Sequence, residues 1–197
     1  MNSQIMDPDL LLSIAIEQAA EQFDIPSEVI EAIVQTESAG NIYAYRTERH
    51  YQWLVNAQNK KPFRRLTKAE KTSEKAPADF PYIKVISSRN TEFMGQQASW
   101  GPMQVMGAVA REYGFKCAFP MLCGIAGIHY GTLHLAKLKK RFFNTHGWGG
   151  VFAAYNAGSP RRKNGEYVNQ HYVDTIYKKL GNKCLALMQE EVAEDAA

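Results

Sequence analysis

Residues 25–40 read IPSEVIEAIVQTESAG, and this stretch decides how the chain around it folds. Pro26 or Ser27 fits the first turn of a helix. Apolar side chains then recur at helical intervals at Val29, Ile30, Ile33 and Val34. Glu37 continues the same row, so it lies on the core-facing side of the helix. The stretch therefore predicts an amphipathic helix that ends at one carboxyl group.

Two effects are expected to raise the pKa of Glu37. Partial burial disfavours the charged carboxylate, and the partial negative charge at the C-terminal end of a helix repels it. Gly40 fits the left-handed position that ends a helix just past the acid. An ordinary helix-end glutamate with its head group in water is the alternative. A chemical role for Glu37 therefore depends on what the rest of the chain provides.

The composition predicts one compact globular domain. The chain has 197 residues, of which 45% are hydrophobic and 22% are charged, and its formal net charge is +3. We expect a single domain over residues 1–197, with an insertion at about 41–98 and a flexible tail at about 189–197. The small net charge gives no indication of nucleic-acid binding. Three cysteines without metal-ligand spacing are expected to be reduced, buried thiols: Cys117, Cys123 and Cys184.

The spacing of apolar residues predicts the remaining elements. The other predicted helices run from Asp7 to about Phe23, from just after the Gly101-Pro102 turn to Gly114 with Gln104 in the first turn, from Ile125 to about Phe143, from Val151 to Tyr155, and from Tyr167 to about Leu180. Inside the insertion, the run from Tyr82 to Ile86 resembles a short strand. These elements predict a helical domain with at most a small sheet.

Later segments supply polar and aromatic side chains of the kind that bind polysaccharides. Residues 99–106, SWGPMQVM, place Gln104 after a Gly-Pro turn. Residues 153–158, AAYNAG, place Tyr155 and Asn156 at the end of a short helix, and a Tyr-Val pair opens the last helix. Sugar rings stack on aromatic faces and hydrogen-bond to amides, so these residue types suit a glycan-binding groove.

In order and content, the motifs Glu-Ser, Gly-x-x-Gln, Ala-Tyr-Asn-Ala-Gly and Tyr-Val resemble lytic transglycosylases of the soluble-lytic-transglycosylase type, within the lysozyme superfamily. The resemblance covers residues from about 25 to 178. It implies an α+β, mainly α, lysozyme-like fold that acts on peptidoglycan strands without a cofactor or metal. It also implies that Glu37 protonates the oxygen between N-acetylmuramic acid and N-acetylglucosamine and then takes a proton from the muramoyl C6 hydroxyl. The residues implied to bind substrate are Ser38, Met103, Gln104, Tyr155, Asn156 and Tyr172.

The chain departs from this family pattern in two places. The insertion at 41–98 lengthens the gap between the first two motifs, and Val168 stands where relatives often have a glutamate. The insertion also brings new carboxylates, of which Glu48, Asp79 and Glu92 could approach the cleft. A second carboxylate that activates water would make the protein a muramidase. Glu48 is the preferred auxiliary residue, with a surface ion pair to a neighbouring arginine as its alternative. The third alternative is a protein that binds murein but does not cleave it.

The N-terminal sequence lacks the basic start and apolar core of a signal peptide. No run of residues reaches the length of a membrane span. We therefore expect a monomer that is made in the cytoplasm and acts on the cell wall in the periplasm after release, or from a virion. These features predict a phage or prophage lysis enzyme.

Overall fold

The computed structural model describes residues 7–183, and the chain falls into two compact units. The first unit contains the segments up to Ala39 and from Gly131 onward, and the second is Gly40–Tyr130. The predicted tail lies outside the described residues, and so does Cys184. The expectation of one domain over the whole chain stays a prediction.

Seven helices and five short strands make up the described part of the chain, which confirms the mainly helical fold class. The helices are α1 Pro8–Phe23, α2 Ser27–Glu37, α3 Lys68–Thr72, α4 Arg89–Gln96, α5 Gly107–Glu112, α6 Ile125–Ala157 and α7 Gln170–Leu180. The strands are β1 Tyr45–Thr47, β2 Ala98–Trp100, β3 Val105–Met106, β4 Arg162–Lys163 and β5 Glu166–Tyr167. β1, β2 and β3 form one antiparallel sheet, and β4 and β5 form a hairpin. Within residues 7–183, no helix is long and apolar enough to cross a membrane.

The predicted first helix is confirmed at both ends. The Asp7 carboxylate accepts a hydrogen bond from the Asp9 amide at 3.0 Å, and proline occupies the first position. Such a cap satisfies one of the free N–H groups at a helix start. Asp24 ends α1 in the left-handed conformation, with φ of 53°. A short turn therefore leads directly into α2.

The core of the first unit confirms the apolar row read from the sequence. α2 packs against α1 and α7. The apolar residues that α2 and α7 bury are Val29, Ile30, Ile33 and Val34 on one side and Val173, Ile176 and Leu180 on the other. Each buried aliphatic side chain stabilises the fold by about 1.5–3 kcal/mol relative to exposure. Because Glu37 ends this row, the packing brings its carboxyl group to the edge of α7.

α6 contains a break at Gly147, whose φ of 57° and ψ of −168° are not helical. Only glycine adopts this backbone conformation readily. The two predicted helices in this region are therefore present, but the second begins directly after the break and not at Val151. Its first residues are deeply buried, and Trp148 stacks on Phe152 with ring centroids 5.5 Å apart. The break orients the chain so that this aromatic pair packs inside the core of the first unit.

The prediction of a helix starting just after the Gly101-Pro102 turn is wrong. Gly101 has φ of +70°, and a Cβ atom there would lie 2.1 Å from the Leu122 carbonyl oxygen. The chain turns back at this point, so that β3 pairs with β2 in the second unit. The helix, α5, begins only at Gly107. Gln104 consequently lies in a tight turn between two strands and not in a helix.

The short strand predicted from Tyr82 to Ile86 is also absent. The amides of Ile86 and Ser87 both donate to the Ile83 carbonyl, at 2.9 and 3.1 Å, so the segment forms a local turn. Val85 is 94% exposed and has no sheet face to pack against. The β-branched residues indicated a strand, but a strand needs a pairing partner.

The last helix begins at Gln170, three residues later than predicted, because Tyr167 belongs to the β4–β5 hairpin. The hairpin turns at Asn164 and Gly165, whose φ angles are 54° and +89°. Two left-handed residues in a row are what the tight turn of a two-residue hairpin requires. Asn-Gly is therefore the sequence signal that marks this hairpin.

A buried ion pair organises the second unit. Glu92 and Arg111 have fully buried side chains, and two N–H groups of Arg111 donate to the two Glu92 oxygens at 2.7 and 2.9 Å. Glu92 also accepts hydrogen bonds from Gln96 and Ser87. Gln96 in turn both donates to and accepts from the backbone of Val55. Within the insertion, the network ties Val55 to α4, and it ties both to α5.

The rest of the Arg111 guanidinium is satisfied as well. It donates to the carbonyl oxygens of Phe115 and Cys117 at 2.7 and 2.9 Å. Its carbon atom lies 4.2 Å from the ring centroid of Phe119, in cation–π geometry. A buried charge is tolerated only when it is paired and hydrogen-bonded in this way.

Replacing Arg111 by Met should lower the free energy of unfolding by about 3–5 kcal/mol, because it leaves the buried Glu92 charge uncompensated. Removing both charges, in Glu92→Gln with Arg111→Met, should cost less than the single change. Arg65→Met, at an exposed position, is the control and should have little effect. Urea unfolding measures all three; a double variant less stable than Arg111→Met contradicts this account.

Candidate functional site

Glu37 is the last residue of α2 and is half-buried. Ser38, the C-cap residue, still donates both its amide and its hydroxyl to the Val34 carbonyl, at 3.0 and 3.1 Å. The sequence predicted Gly40 as the first left-handed residue. That residue is Ala39, with φ of 53°, and Gly40 follows with φ of 83°. The carboxyl group therefore projects from a helix end that its neighbours fix.

The Tyr172 hydroxyl donates a hydrogen bond to Glu37 Oε1 at 2.6 Å. Tyr172 lies in the first turn of α7, 135 residues further along the chain. Burial is the main cause that raises the pKa of Tyr172 well above its ordinary value, and the nearby Glu37 carboxylate adds to it. The phenol therefore keeps its proton and acts as a permanent donor to one oxygen of Glu37.

Tyr155, on α6, is a further phenol that raises the pKa of Tyr172. Its ring lies beside that of His134, with centroids 5.5 Å apart and planes tilted by 50°. Burial lowers the pKa of His134 to about 4, so the imidazole is neutral near neutral pH. A neutral ring can pack against Tyr155 without placing a positive charge near Glu37.

Asn156 is exposed and follows Tyr155 on α6. Its Oδ1 accepts a hydrogen bond from the side-chain amide of Asn169 at 2.9 Å, and the same amide donates to the Ala153 carbonyl at 3.1 Å. Asn169 was not among the predicted site residues. A lone asparagine before a helix is usually a cap, so only the folded structure shows this pairing.

The first unit contains five of the predicted residues. Glu37 and Tyr172 are in direct contact, Tyr155 raises the pKa of Tyr172, and Asn156 follows Tyr155 on α6. Ser38 directly follows Glu37 and donates its hydroxyl to the Val34 carbonyl. The remaining predicted residues, Met103, Gln104 and Glu48, belong to the second unit.

Gln104 has a left-handed backbone, with φ of 48°, which is uncommon for a residue other than glycine. Its Oε1 accepts from the Ser99 hydroxyl at 2.8 Å, and its Nε2 donates to the Gly101 carbonyl at 3.0 Å. Ser99 therefore fixes which way the amide points. Such backbone strain concentrates at functional sites. The Ser-x-Gly spacing was visible in the sequence, but the role of Ser99 was not predicted.

Two predicted site residues of the second unit, Met103 and Glu48, have surroundings that do not favour the roles predicted for them. Met103 is fully buried, at 0% exposure, which favours a packing role for its side chain over contact with substrate. Glu48, the preferred auxiliary residue, forms an ion pair with Arg46. This is the alternative that the sequence offered for it, and such exposed pairs contribute little to stability.

No three His, Cys, Asp or Glu side chains of residues 7–183 come together as a metal site requires. Cys117 and Cys123 are free thiols, but the prediction that they are buried is wrong, because Cys117 is exposed and Cys123 is half-buried. Burial raises the pKa of the Cys123 thiol, which makes it less reactive.

A family profile described as "Transglycosylase SLT domain" matches residues 14–177 of the chain. The chain belongs to this family. The match includes Glu37, Gln104, Tyr155 and Tyr172, as well as the whole insertion. Searches of the curated proteins and of the solved structures found no match.

Membership of the SLT transglycosylase family assigns the protein to the lytic transglycosylases, which are lyases that act on cell-wall peptidoglycan. It confirms the predicted substrate class and the predicted lysozyme-like fold. The phage origin, the monomeric state, and release from the cytoplasm stay predictions.

The SLT domain should lose stability in acid through His134. Because burial lowers the pKa of His134 from 6.5 to about 4, the unfolded chain binds this proton more readily than the folded one. The free energy of unfolding should therefore fall as the pH falls from about 6.5 to about 4. His134→Gln should flatten this dependence, whereas His50→Gln, at an exposed position, should not. Urea unfolding at several pH values measures it, and equal acid dependence in all three proteins contradicts the account.

Proposed function

We propose that the protein cleaves the β-1,4 bond between N-acetylmuramic acid and N-acetylglucosamine, with Glu37 as general acid and base, and leaves 1,6-anhydro ends. The observation that carries this proposal is the 2.6 Å hydrogen bond from Tyr172 to Glu37 Oε1. With Oε1 engaged, a proton on Glu37 resides on Oε2. We propose that Oε2 gives this proton to the glycosidic oxygen.

The reaction needs one carboxyl group in two protonation states. Glu37 first gives its proton to the bridging oxygen while the bond from that oxygen to the muramoyl C1 breaks. The C6 hydroxyl oxygen of the same sugar then bonds to C1, and its proton passes to Glu37. The carboxyl group is restored and no water is consumed. Tyr172 serves both steps, because its hydrogen bond holds the carboxyl group in one orientation.

Other residues are proposed to hold the sugar. Asn156 offers an exposed side-chain amide to the acetamido group, and Tyr155 lies next to it on α6. The Gln104 amide, fixed by Ser99, is proposed to bind the glycan as well. Amides and phenols are the groups that recognise N-acetylated sugars, since both donate and accept hydrogen bonds. Burial removes Met103 from the set of proposed contacts.

The state of the insertion carboxylates favours the anhydro product over hydrolysis. Glu48 is paired with Arg46, and Glu92 is fully buried against Arg111. Asp79 binds Arg64, and this hydrogen bond holds its pKa below the ordinary value. A carboxylate engaged by arginine is a weak base for activating water. The substrate's own C6 hydroxyl is therefore the better nucleophile.

Glu37→Gln should abolish cleavage of purified murein, with a loss of at least about 100-fold, because the amide has no proton to give. Folding and glycan binding should be retained. Glu31→Gln is the matched control, since Glu31 lies on the exposed face of the same helix. Release of soluble fragments measures cleavage. A Glu37→Gln protein that still clears murein overturns the assignment of the acid.

Mass spectrometry of the wild-type products decides between the two chemistries. Anhydro-muramoyl ends support the proposal. Muramic acid ends that borohydride reduces would show that water is the nucleophile and would make the protein a muramidase. A wild-type protein that binds murein without releasing fragments would support the third alternative, a murein-binding protein that does not cleave its substrate.

Tyr172→Phe should lower kcat by about 10–100-fold while the protein stays folded, because the ring remains and one hydrogen bond to a carboxylate is lost. Tyr43→Phe removes a hydroxyl from a residue that is 73% exposed, and it serves as the control. The initial rate of murein digestion measures both. An unchanged rate in Tyr172→Phe would show that the Tyr172 hydroxyl does not contribute to catalysis.

A further inference from the structure

Asn169 is the N-cap residue of α7, but its side chain does not cap the helix. Asparagine is among the residues most often found at this position, because its side-chain oxygen can accept from the first free amides of the helix. Here the side chain turns away from α7 and contacts α6. The favourable local interaction is replaced by one between two helices.

The Asn169 side chain is also incompletely satisfied. Its Oδ1 is buried and has no hydrogen-bond partner among the residues that the structure describes. Buried acceptors without a partner are uncommon in folded proteins and destabilise them. Asn169 therefore carries two unfavourable features at one position, a missing cap and a buried oxygen. Features of this kind persist where the geometry serves function.

The hydrogen bonds of Asn169 define the orientation of Asn156. The atom of Asn169 that faces the Ala153 carbonyl must be its NH2 group, because an oxygen there would face another oxygen. The same NH2 group contacts Asn156, so the atom it meets must be the Asn156 oxygen. The NH2 group of Asn156 consequently points away from Asn169. Asn156 is exposed, so this donor faces the solvent side of α6.

We propose that Asn169 is a positioning residue for substrate binding: it fixes the Asn156 amide so that the NH2 group, and not the oxygen, is presented to the glycan. The chemical group that this donor fits is the carbonyl oxygen of an N-acetyl substituent. The inference rests on the proposed function and deepens it. It assigns specificity for the acetamido group to a pair of asparagines, one on α6 and one at the start of α7.

Asn169→Ser separates this role from a structural one. Serine is a good N-cap residue, so the start of α7 should be at least as stable as in the wild type, but its side chain is too short to reach Asn156. We expect kcat/KM on murein to fall by about tenfold, the size of one lost hydrogen bond. Asn169→Asp is the second variant. Its carboxylate also caps a helix, but it accepts hydrogen bonds only, so it should turn the Asn156 NH2 group inward and give a similar loss.

A double-variant cycle provides the decisive comparison. In an Asn156→Ala background, Asn169→Ser should leave kcat/KM unchanged, because the group that Asn169 positions is already gone. A loss of the same factor in both backgrounds shows that Asn169 acts independently of Asn156 and overturns the proposal. An unchanged kcat/KM in Asn169→Ser alone overturns it too.

A measurement that does not depend on turnover separates this proposal from the proposed function. In ¹⁵N-labelled protein, the side-chain NH2 resonance of Asn156, assigned by its loss in Asn156→Ala, should shift in Asn169→Ser and in Asn169→Asp. If the wild type does not cleave murein, the proposed function fails, and this shift still supports the pairing. An unshifted Asn156 resonance in both variants overturns the positioning role, whatever the activity.

Discussion

A hydrogen bond between the end of α2 and the start of α7 determines what the first unit can do. Tyr172 donates to Glu37 across 135 residues of sequence. The contact exists because the apolar faces of the two helices pack together, which leaves their polar ends side by side. An acid at a helix end would otherwise sample several rotamers in water. The packing therefore converts an ordinary glutamate into a group with a defined direction.

The second unit depends on a different constraint, the buried pair of Glu92 and Arg111. This pair and its hydrogen bonds link Val55 and α4, which are both in the insertion, to α5, so a long and mostly irregular segment acquires a fixed structure. The network includes Glu92, which the sequence alone had left as a candidate for a second catalytic carboxylate. Full burial gives Glu92 a structural role, and arginines engage the other two candidate carboxylates, Glu48 and Asp79.

The elements that depend on local patterns could be predicted from the sequence, and those that depend on distant partners could not. The Asp7 cap and the apolar row before Glu37 are local features, and the structure agrees with both. Residues 103–106, directly after the Gly101-Pro102 turn, were predicted to be helical because their apolar spacing fits a helix. Pairing with β2 and the nearby Leu122 carbonyl impose a hairpin instead. Residues 82–86 include three β-branched side chains, but no strand lies beside them in the part of the chain that the structure describes, and the segment forms a turn.

The sequence by itself determined the chemistry available to this protein: an acid at the end of an apolar helix row, followed in order by the motifs of a glycan-cleaving family. These properties depend on residue type and spacing, which folding does not change. Only the tertiary structure decided which oxygen of Glu37 is engaged and which side of the Asn156 amide faces outward. Hydrogen-bond direction depends on the partner atom, and both partners, Tyr172 and Asn169, come from a segment that the chain reaches only after folding back.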